Sequence, residues 1–145
     1  MAKSVQKTLP TDRSVAALID GVQDPARQAD IRAAVALLGK VTGREPVAWG
    51  AMIGFGRYDY RYASGHSGTS PRIAVAPRKN ATTFYLMPGF EELGEELGRL
   101  GKHATAKACL HVRRLSDVDV GVLEEVLAKS WAQMARLHPE PGADA

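Results

Sequence analysis

The sequence predicts an α+β fold. The expectation is an antiparallel sheet of about five strands with helices at both ends of the chain packed on it, in the order α-α-β-β-β-β-α-β-α. Three observations lead there. Apolar residues recur at helical spacing near the N-terminus (Val15, Leu18, Ile19, Val22) and again near the C-terminus (Val118, Val122, Leu123, Val126, Leu127, Trp131, Met134). Between them the period drops to two: Tyr58, Tyr60 and Tyr62 alternate with Arg57, Asp59 and Arg61. The stretch 49–88 also holds all four tyrosines and two of the three phenylalanines, the composition of a sheet and not of a bundle.

Taken in order, residues 1–11 are polar and read as a flexible tail. Thr11 or Asp12 is the expected cap of a first helix. Asp24 caps a second, with Pro25 at the first helical position, where its missing N–H costs nothing, and Gly43 as a left-handed stop. Ile31, Ala34, Val35, Leu38 and Val41 form its apolar face. Strands are expected at 52–55, 57–62, 72–76 and 82–87, with 64–71 (SGHSGTSP) a loop and 78–81 a turn. Pro77 ends the third strand or puts it at an edge. Phe90, Leu93, Leu97 and Leu100 give a third helix, closed by Gly101. Residues 107–112 alternate as one more strand. Ser116 is the expected cap of the last helix, which buries Trp131. The domain spans 12–138, and 139–145 is a second flexible tail.

Composition narrows the function classes. At 145 residues, with 45% hydrophobic and 24% charged residues, the chain has the size and makeup of one globular domain. A single cysteine, Cys109, rules out a disulfide framework. MAKSVQKTLP has no apolar signal core, and no apolar run approaches the roughly 18 residues of a membrane span, so the expected location is the cytoplasm. A net charge of +3 permits an anionic partner without demanding nucleic acid.

Four strings stand in order along the chain: EPVAWGAMIGFGRYDYRYASG, VAPRKNATTFYLMPGF, LGKHATAKACLHVRRLSDVD and VLEEVLAKSWAQM. Together they resemble the YdhG-like family of bacterial domains of unknown function, over roughly Asp12 to Met134. The resemblance implies a compact α+β domain and carries no established reaction. Some members are described as frataxin-like iron chaperones.

No motif for catalysis emerges, and a non-enzyme is expected. There is no G-x-S-x-G elbow, and Cys109 sits in an alternating apolar strand. Gly101-Lys102-His103 lacks the glycine and hydroxyl of a phosphate loop. The four histidines show no zinc spacing, although Cys109 and His111 share a strand face. Tyr58, Tyr60 and Tyr62 read first as a packed sheet face and second as the floor of a ligand cleft. Two charged sets are the remaining candidates. Arg78, Lys79, Lys102, His103 and Lys107 lie at turn and loop ends of the expected sheet, with Thr105 and the Tyr58 and Tyr60 hydroxyls as neutral donors. If these ends converge, they form a pocket for a small anion. Glu91, Glu92, Glu95 and Glu96 make like-charged i, i+4 pairs on a helix, which a hard cation such as iron would relieve. The leading expectation is a non-catalytic anion-binding domain. The alternatives are an iron chaperone and a protein-interaction module.

Overall fold

The computed structural model describes residues 14–61, 65 and 67–140. Two helices open the described residues. Helix α1 (Val15–Asp20) is capped by Ser14, whose side chain accepts from the Ala17 N–H at 3.3 Å. Thr11 and Asp12, the expected caps, lie outside the described residues. Helix α2 (Pro25–Thr42) begins and ends as the sequence dictates: Asp24 accepts from the Ala26 N–H at 3.0 Å, and Gly43 turns the chain at φ 68°.

Eight strands follow: β1 (Val47–Trp49), β2 (Met52–Phe55), β3 (Tyr58–Arg61), β4 (Ser67–Ser70), β5 (Ile73–Pro77), β6 (Thr82–Leu86), β7 (Ala104–Ala106) and β8 (Cys109–Val112). Six of them form one sheet in the order β1-β2-β5-β6-β8-β7, and every neighbouring pair is antiparallel. Strands β3 and β4 form a separate two-stranded ribbon. The fold is α+β as expected, with three strands more than the sequence pattern suggests. β1 and β7 have three residues each, too short to display a period. β4 is Ser-Gly-Thr-Ser and reads as loop by composition; its strand character comes from pairing with β3, Tyr58 opposite Ser70 and Arg61 opposite Ser67. The alternating tyrosine strand therefore belongs to the ribbon and not to the main sheet. Tyr62 lies outside the described residues.

Helix α3 (Gly94–Leu100), a 3-10 turn (Leu115–Asp117) and helix α4 (Val120–Leu137) complete the chain. The helices cover one sheet face. Ile31, Ala34 and Leu38 of α2 and Val122, Leu123, Val126 and Leu127 of α4 pack on Ile53, Phe55, Ile73, Val75, Phe84, Leu86, Leu110 and Val112. Each large side chain buried there contributes roughly 1.5–3 kcal/mol. Ser116 does not cap α4. Leu115 is buried and holds the 3-10 turn in place, so the helix starts later, at Asp119, whose carboxylate accepts from the Val122 N–H at 3.2 Å. Asp30 on α2 fixes the same corner: it accepts from Arg114 Nε at 2.7 Å and from the Leu115 N–H at 3.1 Å.

Among the described residues, no helix packs on the other sheet face. Ala74, Ala76 and Tyr85 form a small cluster there with Met52, Met87 and Cys109 at its margin. Trp49 is buried on the same face, lying across Gly54; a Cβ at position 54 would stand 2.6 Å from the Trp49 ring and 2.6 Å from Pro71. Trp131, expected in the core, is only half-buried. Its ring edge meets Gly56, and the Arg44 guanidinium lies 5.3 Å from its centroid. Pro139 and Glu140, assigned to a tail by sequence, are placed. Arg44 grips Glu140 with both guanidinium ends, and buried Arg72 donates to the Arg57 carbonyl just before β3 and to the Met134 and His138 carbonyls at the end of α4.

Candidate functional site

The β5–β6 turn, closed by a 2.8 Å bond from the Arg78 N–H to the Ala81 carbonyl, stands at the end of the sheet where Pro77 pairs with Thr82. On the next strand Val112 lies opposite Thr82, so Arg113 emerges at the same end. β7 pairs Ala104 with His111, which brings Lys102 and His103 there too. Gly101 makes this approach possible. It sits at φ 111°, and a Cβ there would lie 2.6 Å from the Asp117 carbonyl.

These elements border an open, shallow cavity of about 530 Å³ lined by Arg78, Lys79, Asn80, Ala81, Thr83, Lys102, His103, Ala104, His111 and Arg113. Four of these are cations and none is a carboxylate. Among the described residues, none of the four cations makes an ion pair. Arg78 is held by a neutral group: Nε donates to the Tyr85 hydroxyl at 2.8 Å, Nη2 donates to the same oxygen, and the guanidinium lies 5.6 Å from the ring centroid. Both histidines are oriented. His111 Nδ1 lies 2.9 Å from the Thr83 hydroxyl. His103 Nδ1 lies 2.7 Å from the Gly101 carbonyl. A carbonyl only accepts, so Nδ1 carries the proton and Nε2 is left for another partner. From the helix side Arg27 braces the turn, donating to the Lys79 carbonyl and, at 3.2 Å, to that of Ala81.

The sequence-predicted basic set is thus brought together in part. Arg78, Lys79, Lys102 and His103 share the cavity. Lys107 does not: it sits in the β7–β8 turn at φ 53°, beyond the Ala106–Cys109 pair and so at the far end of those strands. Thr105 faces the opposite side of β7 from Ala104, because alternate strand residues point to opposite faces. Tyr58 and Tyr60 are also excluded. Their ribbon joins the sheet at its other end, between Phe55 and Ile73, and the Tyr58 ring lies 4.6 Å from that of His138. Three contributors escaped the sequence reading, namely Arg113, His111 and Thr83. Their alternation on β8 and β6 placed them on one face, but nothing local said that this face was open. A second cavity, of about 610 Å³, shares Arg78 and Lys79 but also takes in Asp24, which makes it the poorer anion site.

The acidic set does not assemble. Helix α3 starts only at Gly94, because Gly89 at φ 85° and a turn from Phe90 to Leu93 precede it, so Glu91 and Glu92 are not helical. The expected i, i+4 repulsion is absent from those pairs. Three of the four carboxylates have a cation instead. Glu96 accepts from Lys129 Nζ at 2.9 Å, Glu92 from Arg136 at 3.0 Å, and Glu95 lies 3.8 Å from Arg99. The Lys129 bond holds the Glu96 carboxyl below the ordinary glutamate range. Carboxylates already neutralised by lysine and arginine do not fit an iron site, and among the described residues no group of three or more His, Cys, Asp or Glu side chains is placed to hold a metal ion. Nor is any described helix long and apolar enough to cross a membrane. Compared with known proteins, the chain matches no family model, no curated protein and no solved structure.

Proposed function

We propose that this protein is a binding domain for a small anionic ligand, held in the cavity between the β5–β6 turn and the Lys102–Ala104 segment. One observation carries the reading: four cations line a single cavity that contains no carboxylate, and none of them has an ion-pair partner among the described residues. Like charges gathered this way repel. All four side chains are solvent-exposed, so water and salt screen much of that cost. An anion relieves that cost and takes charge-assisted hydrogen bonds from lysine and arginine. The His103 and His111 rings, fixed by Gly101 and Thr83, add directed groups to the nonspecific field.

Thermal unfolding tests this. Phosphate should raise the melting temperature more than chloride at equal ionic strength, because a ligand that binds only the folded state stabilises it by mass action. Replacing Lys79 and Lys102 together with alanine should remove the difference. Equal shifts from phosphate and chloride in the unaltered protein would defeat the proposal.

A further inference from the structure

We infer that the cavity takes a phosphate monoester with a small apolar or aromatic body, an inference that rests on the anion-binding reading above. Charge is the first argument. Arg78, Lys79, Lys102 and Arg113 face one space. A phosphate monoester brings about −1.5 to −2 charges and three strong acceptor oxygens near neutral pH, whereas a carboxylate brings one charge on two oxygens. The ester uses more of what the cavity offers.

Size is the second argument. The cavity holds about 530 Å³. A bare tetrahedral oxyanion displaces the space of a few waters, at about 30 Å³ each. Most of the cavity is left over, and it calls for a ligand body.

The wall says what that body is. Ala81 and Ala104 contribute only methyl groups, and Lys and Arg stems present methylenes below their charged heads. The same surface continues past the cavity along the helix-free face. Ala104 and Ala106 on β7 and His111 and Cys109 on β8 are paired in register and point to that side, with the buried Thr83 and Tyr85 of β6 next in the same face. Tyr85 and half-buried Cys109 belong to the apolar cluster there. Arg78 connects the two regions, lining the cavity while bound to the Tyr85 hydroxyl. A ligand with its phosphate at the cationic mouth lays its apolar end on this strip.

Titration calorimetry on the intact protein, at matched ionic strength, separates the claims with three probes: inorganic phosphate, phenyl phosphate and benzoate. Phenyl phosphate should bind at least about tenfold more tightly than either of the others, equivalent to about 1.4 kcal/mol. In a folded Ala104→Phe variant, checked by circular dichroism, the affinity ratio of phenyl phosphate to inorganic phosphate should collapse towards one. Equal binding of phenyl phosphate and inorganic phosphate would overturn the apolar body while leaving anion binding intact. Benzoate binding as tightly as phenyl phosphate would overturn the preference for phosphate. Binding by none of the three would overturn this inference and the anion-binding reading together.

Discussion

The Thr83 hydroxyl and His111 Nδ1 stand 2.9 Å apart on neighbouring strands, on the sheet face that no helix covers. Thr83 is buried and cannot itself reach a ligand, so its part is to fix the plane of the His111 ring at the cavity wall. Thr83→Val keeps the shape and removes the bond. It should cost about 1 kcal/mol in urea unfolding. It should also weaken phosphate binding by up to about tenfold, or about 1.4 kcal/mol. A variant with unchanged phosphate affinity would mean that the orientation of His111 does not matter to the site.

Arg27 acts at one remove. It lies on α2 and donates to the Lys79 and Ala81 carbonyls, which ties the turn carrying two of the cavity cations to the helix layer. Arg27→Ala should loosen the turn, and residues 79–81 should lose amide-exchange protection while the strands on either side keep theirs. Phosphate affinity should fall even though no cavity residue has changed. Exchange rates at 79–81 that match the unaltered protein would show that the turn holds itself.

The two tryptophans differ in depth, and the difference is measurable. Trp49 is fully buried across Gly54, so Trp49→Ala should cost about 3–5 kcal/mol. Trp131 is half-buried, and its contact with Arg44 is a cation–π pair near the surface. That contact contributes about 0.5–1 kcal/mol, and the ring buries only part of its surface against the edge of the core, so Trp131→Ala should cost less than Trp49→Ala. Urea unfolding of both variants decides it; the reverse order would mean that the faces of α4 are wrongly assigned.

Acid stability has identifiable sources. Lys129 lowers the Glu96 pKa through a hydrogen bond, and Arg44 does the same for Glu140. A carboxyl whose folded pKa lies below its unfolded value stabilises fully above the unfolded value, near 4.5, and loses that contribution as pH falls through the folded one. The unaltered protein should therefore lose stability below pH 4.5 or so. Glu96→Gln and Glu140→Gln should each flatten that decline while lowering stability at neutral pH. Melting curves between pH 3 and 7, roughly spanning the glutamate range, make the comparison.

Much of this was legible in the sequence where a local signal existed. Asp24, Pro25 and Gly43 mark α2 by cap chemistry alone, and the spacing of Val122, Val126 and Leu127 marks the buried face of α4. Signals failed where pairing or packing decided the outcome. Ser67–Ser70 becomes a strand because the tyrosine strand lies beside it. Buried Leu115 shifts the start of α4 from Ser116 to Asp119. The site was half legible for the same reason. Turn residues Arg78 and Lys79 and the Gly101-Lys102-His103 string stand out in the chain, and they do converge. Which end of the sheet they share depends on register. Register excludes Lys107, Tyr58 and Tyr60 and admits Arg113, His111 and Thr83.

Amide chemical-shift mapping during a phosphate titration locates the anion site. The largest saturable shifts should fall on Lys79, Asn80 and Ala81 of the β5–β6 turn, on Lys102, His103 and Ala104, and on His111 and Arg113. Tyr58, Tyr60 and Lys107, at the far end of the strands, should stay still. Saturable shifts centred on the β3–β4 ribbon or the β7–β8 turn, with the Lys79 and Lys102 segments unmoved, would contradict the account.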